Sequence, residues 1–572
     1  MKKLIQYIRP YIKMMSFGLT IKFIAALADL FIPSLLAKIL DEAVSAGSRS
    51  QIFFWGGIML VCAFAACGGN IGANRLAAKS AGRITHDIRR DLFKKISSLS
   101  CAQSDKFSIA SLISRLTSDT YNVNQMLARM QRLGVRGPIL LIGGIAITVT
   151  LDPVLTCVLL LMLPLIGIVV FSVTSRSVPV YNNVQKKLDI LVRTIQENIT
   201  GIRVIKALSK TEYETKRLHE AGRILSDEEQ KAEQIMAVSN PSTTLILNIG
   251  LTLVVIVGAY RVNGGYTQPG TIIAFLSYFT IILNAMLGIT RIFTTCSKGA
   301  ASMKRINEVL DEKEDLLIQS PDYSDSNYHI SFENVSFSYN KRENNLQNIS
   351  FALKRGETLG IIGATGSGKS TIINLLMRFY DPDSGSVRIN GQNINSIPPS
   401  ELYTKFGVVF QNDFITGTTI RENIDYFRNL SDSEIERGAA SAQAQEFISG
   451  FSDSYEHKVT ERGMNLSGGQ RQRLLLARAF AKKPEILILD DASSALDYAT
   501  DAKLRHAIAE NFSDTTKIIS AQRISSIRHA DLILVIEDGK IIGAGNHDYL
   551  VDNCDVYREI NEAQMGDDYR EG

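Results

Sequence analysis

The stretch Gly363-Ala364-Thr365-Gly366-Ser367-Gly368-Lys369-Ser370-Thr371 decides the fold of the second half of this 572-residue chain. It has the P-loop pattern of a glycine, four free positions and Gly-Lys-Ser, between the apolar run Thr358 to Ile362 and the helix-like run Ile372 to Met377. Glycines let backbone amides surround a phosphate chain, and the following helix N-terminus adds partial positive charge. We expect Lys369 to reach the β and γ phosphates of a nucleotide and the Ser370 hydroxyl to bind Mg²⁺.

The distribution of apolar residues, which make up 45% of the chain, divides it into two parts. Long hydrophobic runs crowd the N-terminal half, whereas the remainder has the composition of a soluble α/β protein. The net charge of +4 gives no indication of a nucleic-acid partner. The 6 cysteines show no metal-ligand spacing, so we interpret them as single core or membrane residues rather than a disulfide framework.

Six hydrophobic segments in the N-terminal half are candidates for membrane spans. Crossing the hydrocarbon core takes about 20 residues, so the third segment must include polar turns from the Arg129 to Arg136 side. Asp152-Pro153 separates the third segment from the fourth and predicts a tight hairpin. The segments are centred in Phe17 to Leu40, Ile52 to Gly69, Pro138 to Leu151, Val154 to Val173, Thr243 to Tyr260 and Thr271 to Ile292.

Basic residues predict the orientation of these spans. They are concentrated between the second and third segments, from Arg75 to Arg136, and between the fourth and fifth, from Arg176 to Lys231. The positive-inside rule makes those loops cytoplasmic, so both termini lie inside. Both loops are long and compatible with helices that extend the spans into the cytosol. We expect the chain to turn around at Leu116 to Tyr121 and at Ser209 to Glu214.

The order of these patterns predicts the domain organisation. The first 15 residues would form an amphipathic helix on the cytoplasmic membrane surface, because Leu4, Ile8 and Ile12 recur at helical spacing among basic residues. A cleaved signal peptide is the alternative, but no small-residue cleavage site follows. The predicted domains are 1–15, an amphipathic interfacial helix; 16–311, a transmembrane domain with six spans and two long cytoplasmic extensions; 312–328, a linker; and 329–572, a nucleotide-binding domain.

Two charged residues interrupt the first span. Asp29 and Lys22 lie two turns apart on one face, so they could pair toward a water-filled cavity. Lys22 is also close enough to the inner edge to extend its ammonium group to the interface. We expect Asp29 to line a cavity. Four aromatic residues are compatible with either substrate contact or lipid-facing packing: Phe31, Phe53, Phe54 and Trp55.

Two further motifs follow the P-loop. Ile486-Leu487-Ile488-Leu489-Asp490 is typical of a buried strand that ends in a carboxylate, placed to hold Mg²⁺ beside the phosphates. Leu466-Ser467-Gly468-Gly469-Gln470 precedes a helix that Pro484 terminates. This segment makes a second helix N-terminus with several free backbone amides, which again favours an anion.

With these motifs in this order, the chain resembles an ATP-binding cassette (ABC) exporter half-transporter over nearly its whole length. The resemblance implies a multidomain protein with an all-α polytopic membrane domain of six long helices, then an α/β P-loop NTPase cassette with a signature-helix subdomain. It implies ATP and Mg²⁺ as ligands and a second ABC half-transporter chain as partner. It also implies a multi-pass location in the plasma (inner) membrane, with the N-terminus and the cassette in the cytoplasm.

The family pattern implies roles for individual residues. Tyr339 resembles the aromatic residue that stacks on adenine, and Gln411 resembles the glutamine that touches Mg²⁺. Ser494 to Asp497 resembles the loop that crosses the dimer interface. Mg²⁺ would be held by Ser370, Gln411 and Asp490, and the nucleotide by Tyr339, Gly363, Ala364, Thr365, Gly366, Ser367, Gly368, Lys369, Ser370 and Thr371. The signature residues that would complete the partner's ATP site are Ser467, Gly468, Gly469 and Gln470.

Two residues depart from the family pattern. Asp491 stands where the family has a glutamate that polarises the attacking water, and Gln522 stands where it has a histidine. Aspartate is one methylene shorter, and a displacement of about 1 Å can lower a rate about 100-fold. Glutamine cannot become cationic near neutral pH as imidazole does. Because the signature is intact, the chain resembles the degenerate-site subunit of bacterial heterodimeric multidrug exporters.

These features predict ATP-driven export of amphipathic small molecules, drug-like compounds or lipids, by alternating access, as one subunit of a heterodimer. The altered positions leave open a nucleotide-gated channel or regulator in which ATP turnover is incidental. A homodimeric lipid or peptide exporter and an importer built on the same scaffold are further alternatives. Each substitution, taken alone, is also compatible with a tolerated change that leaves the ATPase activity intact.

Overall fold

The structure is a computed structural model that describes residues 2–324, 327–411 and 413–565. The chain divides into two units. We call the first, which ends at Ser97 and resumes over Ala110–Glu312, the membrane unit, and the second, Ser98–Ile109 with the residues from Lys313 onward, the cassette unit. Residue 1, residues 325 and 326 of the predicted linker, and residues 566–572 of the predicted nucleotide-binding domain lie outside the described residues. The predicted domain limits stay predictions.

Long helices build the membrane unit, and among the described residues six helical stretches are long and apolar enough to cross a membrane. The 49 residues of the longest, Arg49–Ser97, span about 70 Å at about 1.5 Å per residue, against a hydrocarbon core of about 30 Å. The helix is therefore several turns longer than a membrane span requires. The helices up to residue 310 are α1 (Lys2–Ile8), α2 (Ile12–Lys38), α3 (Arg49–Ser97), α4 (Cys101–Phe107), α5 (Ile109–Ser114), α6 (Thr120–Leu151), α7 (Pro153–Thr200), α8 (Ile202–Ala207), α9 (Thr211–Ala237), α10 (Ser239–Asn263) and α11 (Pro269–Leu310).

The hairpin predicted at Asp152-Pro153 is confirmed, since α6 ends at Leu151 and α7 begins at Pro153. Asp152 is buried, and its Oδ1 accepts hydrogen bonds from the backbone amides of Val154 (2.9 Å) and Leu155 (3.2 Å). Its Oδ2 accepts a hydrogen bond from Arg261 Nε at 2.7 Å. The carboxylate therefore caps one helix and neutralises a cation at the end of another.

Small residues bring the membrane helices close together. A Cβ atom at Gly250 of α10 would lie 2.3 Å from Cζ of Phe279, and one at Gly144 of α6 would lie 2.8 Å from Cγ1 of Ile282. Phe279 and Ile282 are themselves buried on α11. Close backbone approach of this kind provides the van der Waals contact on which helix association in lipid depends.

The first of the two predicted turnarounds is not where the sequence placed it. Residues Arg115–Asp119 continue directly into α6 as a π-helical turn, so the chain does not reverse at Leu116 to Tyr121. The break lies earlier, around α4, where the Ser100 side chain caps the helix start in a capping box with Gln103 and Ser108 ends it at a φ of 59°. Serines, rather than glycine or proline, interrupt the helix there, and the Ser-x-x-Gln spacing of the capping box is the sequence signal that the prediction overlooked.

The second turnaround, at Ser209 to Glu214, is confirmed. The helix α8 ends at Ala207 and α9 begins at Thr211. Ser209 has a φ of 53°, a left-handed conformation that stops a helix and reverses the chain.

Two sheets form the framework of the cassette unit. The antiparallel sheet has the order β2-β1-β4-β5, and the larger sheet has the order β10-β9-β3-β8-β7-β6, in which only β10 among the described strands runs antiparallel to its neighbour. The strands are β1 (Ile330–Phe337), β2 (Leu346–Leu353), β3 (Thr358–Ile362), β4 (Ser384–Ile389), β5 (Gln392–Asn393), β6 (Phe406–Val409), β7 (Ile486–Asp490), β8 (Thr516–Ser520), β9 (Leu532–Glu537) and β10 (Lys540–Gly545).

The carboxyl ends of the parallel strands gather the polar residues of the cassette, as in other α/β sheets. The P-loop follows β3, Asp490 ends β7, and Ser520 ends β8. The helices that pack around the sheets are α12 (Lys369–Leu376), α13 (Pro399–Leu402), α14 (Ile420–Asp425), α15 (Asp432–Ser441), α16 (Gln445–Ser449), α17 (Gly468–Phe480), α18 (Tyr498–Asn511), α19 (His547–Asn553) and α20 (Asp555–Met565).

The short helix α4 belongs to the cassette unit although its sequence lies between membrane helices. Tyr380 donates its hydroxyl to Asp105 Oδ2 at 2.7 Å, and Ser100 Oγ donates to Asp315 Oδ2 at 2.7 Å. Gln103 donates to the carbonyl oxygen of Lys313. These side-chain bonds fix α4 to the cassette at both of its ends.

Candidate functional site

The glycines of the P-loop allow contacts that no other residue could make. A Cβ atom at Gly363 would lie 2.1 Å from the carbonyl oxygen of Ile536, and one at Gly368 would lie 2.7 Å from Cδ2 of Leu346. Gly366 has a φ of 86° and faces open space. The loop is therefore pressed against β9 and β2 on one side and open on the other, where a phosphate chain could lie.

Lys369 folds back over its own loop. Its ammonium group donates to the carbonyl oxygens of Gly363 and Ala364, both at 2.8 Å. Burial lowers the pKa of Lys369, while the nearby carboxylates of Asp490 and Asp491 act in the opposite direction. The ammonium group is held at the open face of the loop, where it can pass from carbonyl oxygens to phosphate oxygens.

Ser367 provides a test of whether the loop fits a phosphate. Its hydroxyl oxygen is buried and has no hydrogen-bond partner within the described parts of the chain. A buried polar atom without a partner is costly unless a ligand or water satisfies it. Together with the open space at Gly366, this orphaned hydroxyl fits a loop built for an anion.

Two of the three residues predicted for Mg²⁺, Ser370 and Asp490, are in direct contact, and the third, Gln411, lines the same cavity. Ser370 Oγ donates to Asp490 Oδ2 at 2.9 Å, and Asp490 is buried at the end of β7. Over the described residues there is no group of three or more His, Cys, Asp or Glu side chains that could hold a metal. A hydroxyl, one carboxylate and an amide oxygen fit Mg²⁺, which completes its octahedron with phosphate oxygens and water.

A cavity of about 270 Å³ brings most of the predicted site residues together. Gly363, Ala364 and Ser367 belong to the loop but do not line this cavity, and Asn345 and Ser520 line it although the sequence did not indicate them. The lining residues predicted from sequence are Tyr339, Thr365, Gly366, Gly368, Lys369, Ser370, Thr371, Gln411, Asp490, Asp491 and Gln522.

The backbone of Asp491 is fixed from three sides. Its amide donates to the Ser520 carbonyl at 2.9 Å, and its carbonyl oxygen accepts from Gln472 Nε2 at 3.2 Å and from Ser494 Oγ at 3.1 Å. Its φ of 54° is left-handed, a region that aspartate tolerates better than most residues. The backbone therefore cannot shift to compensate for a side chain that is one methylene short.

The Asp491 carboxylate and Gln522 make only a weak contact. Gln522 Nε2 lies 3.5 Å from Asp491 Oδ2, at the limit of hydrogen-bonding distance. Burial, followed by the charge of Asp490, raises the pKa of Asp491, and the cations Lys369 and Arg523 oppose this shift. Gln522 is exposed and can offer only a neutral amide to a water molecule or a phosphate.

The signature residues form a well-ordered helix start at another place in the cassette. Ser467 caps α17, its hydroxyl accepting from the Gln470 amide at 3.2 Å while Gln470 Oε1 accepts from the Ser467 amide at 2.9 Å. A Cβ atom at Gly469 would lie 3.4 Å from the carbonyl oxygen of Ala495. None of the four predicted signature residues lines the P-loop cavity of this chain.

Tyr339 lies at the edge of the nucleotide cavity and is 44% exposed. Its ring meets the Tyr380 ring edge-on with the centroids 5.0 Å apart, and its hydroxyl accepts from Asn374 Nδ2 at 3.1 Å. Its amide donates to Asn345 Oδ1 at 3.0 Å. An exposed, braced ring of this kind can stack on a base. These three supporting residues come from separate parts of the chain without a shared motif, so the sequence did not indicate them.

A second cavity, of about 1080 Å³, lies within the membrane unit. Asp29 lines it, as predicted, but its partner is not Lys22, which the sequence left as one of two alternatives: Asp29 Oδ2 accepts from Arg136 of α6 at 2.9 Å. Lys22 is buried and donates to Asn70 Oδ1 at 2.7 Å and to Asn74 Oδ1 at 3.1 Å. The partners come from α3 and α6, which the spacing of residues within α2 could not reveal. The described lining does not include Phe31, Phe53, Phe54 or Trp55.

Comparisons with known proteins agree with this architecture. Residues 15–286 match the family model for the ABC transporter transmembrane region, and residues 346–494 match the model for the ABC transporter itself. The structure is also similar to the structure of a bacterial Atm1-family ABC exporter with ATP bound, with a TM-score of 0.80, 23% identity and 99% of each chain covered. At that identity the likeness shows the fold.

Full-length relatives have the same arrangement. The uncharacterized ABC transporter ATP-binding protein YfiB of Bacillus subtilis is 34% identical, with 100% of this chain and 99% of that protein covered. The uncharacterized ABC transporter ATP-binding protein MT1311 of Mycobacterium tuberculosis is 30% identical, with 98% and 97% covered. The chain therefore belongs to the ABC transporter family, as a multi-pass half-transporter that has the fold of an ABC exporter and an ATPase cassette that drives transport.

Proposed function

We propose that this half-transporter is one subunit of a heterodimeric exporter that moves amphipathic small molecules, drug-like compounds or lipids, outward across the plasma (inner) membrane. In this proposal the cassette faces the cytoplasm and the chain contributes the poorer of two ATP sites. The basic loops between spans support the orientation, and Asp491 with Gln522 supports the unequal sites.

The residues of the nucleotide site have separate tasks in this proposal. Tyr339 stacks on the base, the P-loop amides and Lys369 bind the phosphate chain, and Ser370 with Asp490 and Gln411 holds Mg²⁺. When bound, Mg²⁺ neutralises negative charge on the phosphate oxygens. Two cassettes close around ATP and separate after its γ-phosphate is cleaved, which alternates the access of the membrane cavity.

The geometry of Asp491 carries the proposal of an impaired site. A general base must come within hydrogen-bond reach of the attacking water. The Asp491 backbone is held by Ser520, Gln472 and Ser494, so its shorter side chain stays withdrawn, and Gln522 cannot supply the positive charge of an imidazolium. ATP can be bound at this site and hydrolysed slowly.

The signature helix supports the proposal of a different partner chain. Ser467 to Gln470 is a capped, exposed helix start away from the chain's own nucleotide cavity, suited to a phosphate held by another cassette. An intact signature beside an impaired catalytic position is useful when the other cassette has a competent catalytic carboxylate. A homodimer would instead contain two impaired sites.

Purification from native membranes tests the proposal. A tagged chain produced at its natural level should retain a second, non-identical half-transporter in equal amount, and the pair should hydrolyse ATP and transport an amphipathic dye in vesicles. The chain produced alone should hydrolyse ATP at least about tenfold more slowly. A stable dimer of the chain with itself that hydrolyses two ATP molecules per cycle would refute the heterodimer, and ATP-independent flux down a gradient would favour a nucleotide-gated channel.

A further inference from the structure

The membrane cavity has a charged end and an apolar wall. Asp29 and Arg136 line it together, and polar side chains of α10 and α11 face it as well: Thr252, Ser277, Thr280 and Asn284. The remaining lining is aliphatic or small, contributed by leucine, isoleucine, valine, proline, alanine and glycine. Its volume of about 1080 Å³ is at the upper end of the range for small-molecule sites.

Cations outnumber carboxylates at the charged end. The charged groups that act on the buried Lys22 ammonium are Arg132, Arg136 and Asp29. Among the described groups, three formal positive charges therefore lie near one negative charge, although only Arg136 and Asp29 line the cavity itself. Asn70 bridges the Lys22 ammonium group and the Asp29 carboxylate. Its Oδ1 accepts from Lys22 Nζ at 2.7 Å, and its Nδ2 donates to Asp29 Oδ2 at 3.5 Å.

The arginines of this cluster have unused hydrogen-bonding capacity. Arg136 donates one NH₂ group to Asp29, whereas the Nε atoms of Arg132 and Arg136 are buried without a partner among the described residues. A positive charge in a low-dielectric setting is costly unless an anion neutralises it. A guanidinium group matches the two oxygens of a carboxylate or phosphate especially well.

We infer that this cavity binds an amphipathic anion, with a carboxylate or phosphate head on Arg136 and an apolar tail along the aliphatic wall. A cationic amphiphile would find only Asp29, whose Oδ2 atom already accepts from Arg136 and Asn70. A neutral amphiphile would leave the excess positive charge uncompensated. The inference rests on the proposed export of amphipathic molecules and specifies their charge.

Binding of a matched pair of probes tests the inference without ATP. The full chain in phosphatidylcholine nanodiscs is titrated with 11-(dansylamino)undecanoic acid and with its neutral primary amide, and dansyl fluorescence is read against protein-free nanodiscs. We expect the acid to bind about tenfold or more tightly than the amide, since a hydrogen bond between charged groups is lost in the amide. Equal affinities would overturn the inference.

Variants locate the effect at the charged end. Arg136→Gln should weaken acid binding about tenfold and leave amide binding within about twofold, and Arg136→Lys should recover part of the loss. Asp29→Asn should strengthen acid binding, because it removes a competing carboxylate, a gain that a damaged cavity would not produce. Arg129→Gln on the same helix, whose guanidinium bonds Thr295 outside the cavity, is the matched control. Weaker acid binding by Asp29→Asn, or equal loss of both probes in Arg136→Gln, would contradict the assignment.

The lipid composition distinguishes two sources of the anion. If phosphatidylglycerol at about one-fifth of the lipid lowers acid binding to the unmodified chain but not to Arg136→Gln, the occupant is a lipid headgroup. If it has no effect, the occupant is a free amphiphile. ATP-dependent flux is measured separately with Lys369→Ala as the inactive reference. Flux with no preference for the acid would refute the anion inference alone, whereas equal flux in Lys369→Ala would refute ATP-driven export.

Discussion

The signature helix and the predicted catalytic positions of the same cassette differ in how well their side chains are hydrogen-bonded. Ser467 and Gln470 satisfy each other's backbone amides at the start of α17, which leaves the helix end exposed and ordered. Asp491 and Gln522 meet only at 3.5 Å, although the Asp491 backbone is firmly held. The two regions serve different nucleotides in a cassette dimer, so one can be complete while the other is impaired.

We expect the largest effect on the ATPase rate from a substitution in the signature residues. Gly469→Glu should lower the ATPase rate of the heterodimer about 100-fold or more, because it introduces a negative charge where the partner's ATP would be bound. A Cβ atom fits there, at 3.4 Å from the Ala495 carbonyl oxygen, so the cassette should still fold. Steady-state phosphate release in proteoliposomes measures the effect.

A matched control for this substitution is Gly222→Glu. Gly222 lies in α9, and no atom lies within 4 Å of a Cβ atom built there. We expect the ATPase rate of the Gly222→Glu variant to stay near that of the unmodified protein. If Gly469→Glu also retained that rate, the signature of this chain would not complete a competent site.

The next largest effect should come from repairing the altered positions. Asp491→Glu together with Gln522→His should raise hydrolysis at this chain's own site about tenfold or more, since the carboxylate regains its missing methylene and an imidazole replaces the amide. Single-turnover hydrolysis, measured while the partner's catalytic carboxylate is replaced by glutamine, isolates this site. Absence of any rise would mean that the two positions do not limit the reaction.

A smaller effect should follow from Tyr380→Phe, which removes the 2.7 Å hydrogen bond to Asp105 of α4. Burial and the Asp105 carboxylate raise the pKa of Tyr380, so the hydroxyl is a proton donor at neutral pH. Losing a bond of about 1 kcal/mol should lower transport per ATP hydrolysed about fivefold. Tyr403→Phe makes the same change at a tyrosine whose hydroxyl has no hydrogen bond in the described structure, so it should leave transport per ATP hydrolysed unchanged. Equal values of this ratio in the two variants would show that the Tyr380–Asp105 bond has no role in coupling.

The smallest effect should be that of Asp491→Asn. If the site is already impaired, total ATPase activity of the heterodimer should fall by less than about twofold, whereas the corresponding change in the partner should abolish it. Parallel assays of the two single variants make this comparison. A loss above about tenfold for Asp491→Asn would indicate that this aspartate is a working catalytic base.

The parts of the site that follow from local sequence were predictable. The P-loop residues, Ser370 and Asp490 lie together because a glycine-rich turn must follow β3 and a carboxylate must end the neighbouring parallel strand β7. The break at Asp152-Pro153 followed from proline at a helix start. In each case, chemistry within a few residues determines the geometry.

The parts that depend on distant contacts were not predictable. Asp29 pairs with Arg136, 107 positions away on α6, and not with Lys22 on its own helix. Tyr339 is braced by Tyr380 and Asn374, which share no motif with it. The first turnaround was misplaced because capping by Ser100 interrupts an otherwise helix-compatible sequence. Tertiary packing, which spacing does not encode, decided the first two cases, whereas the Ser100 capping box with Gln103 is a local pattern that the sequence prediction overlooked.

Trapping of hydrolysed nucleotide tests the unequal sites most directly. The purified heterodimer is incubated with photoreactive azido-ATP, Mg²⁺ and vanadate, washed, irradiated, and separated into its two chains. We expect the trapped label to be found mainly on the partner chain, whose P-loop would face the signature Ser467 to Gln470. Label on this chain in equal or greater amount would contradict it.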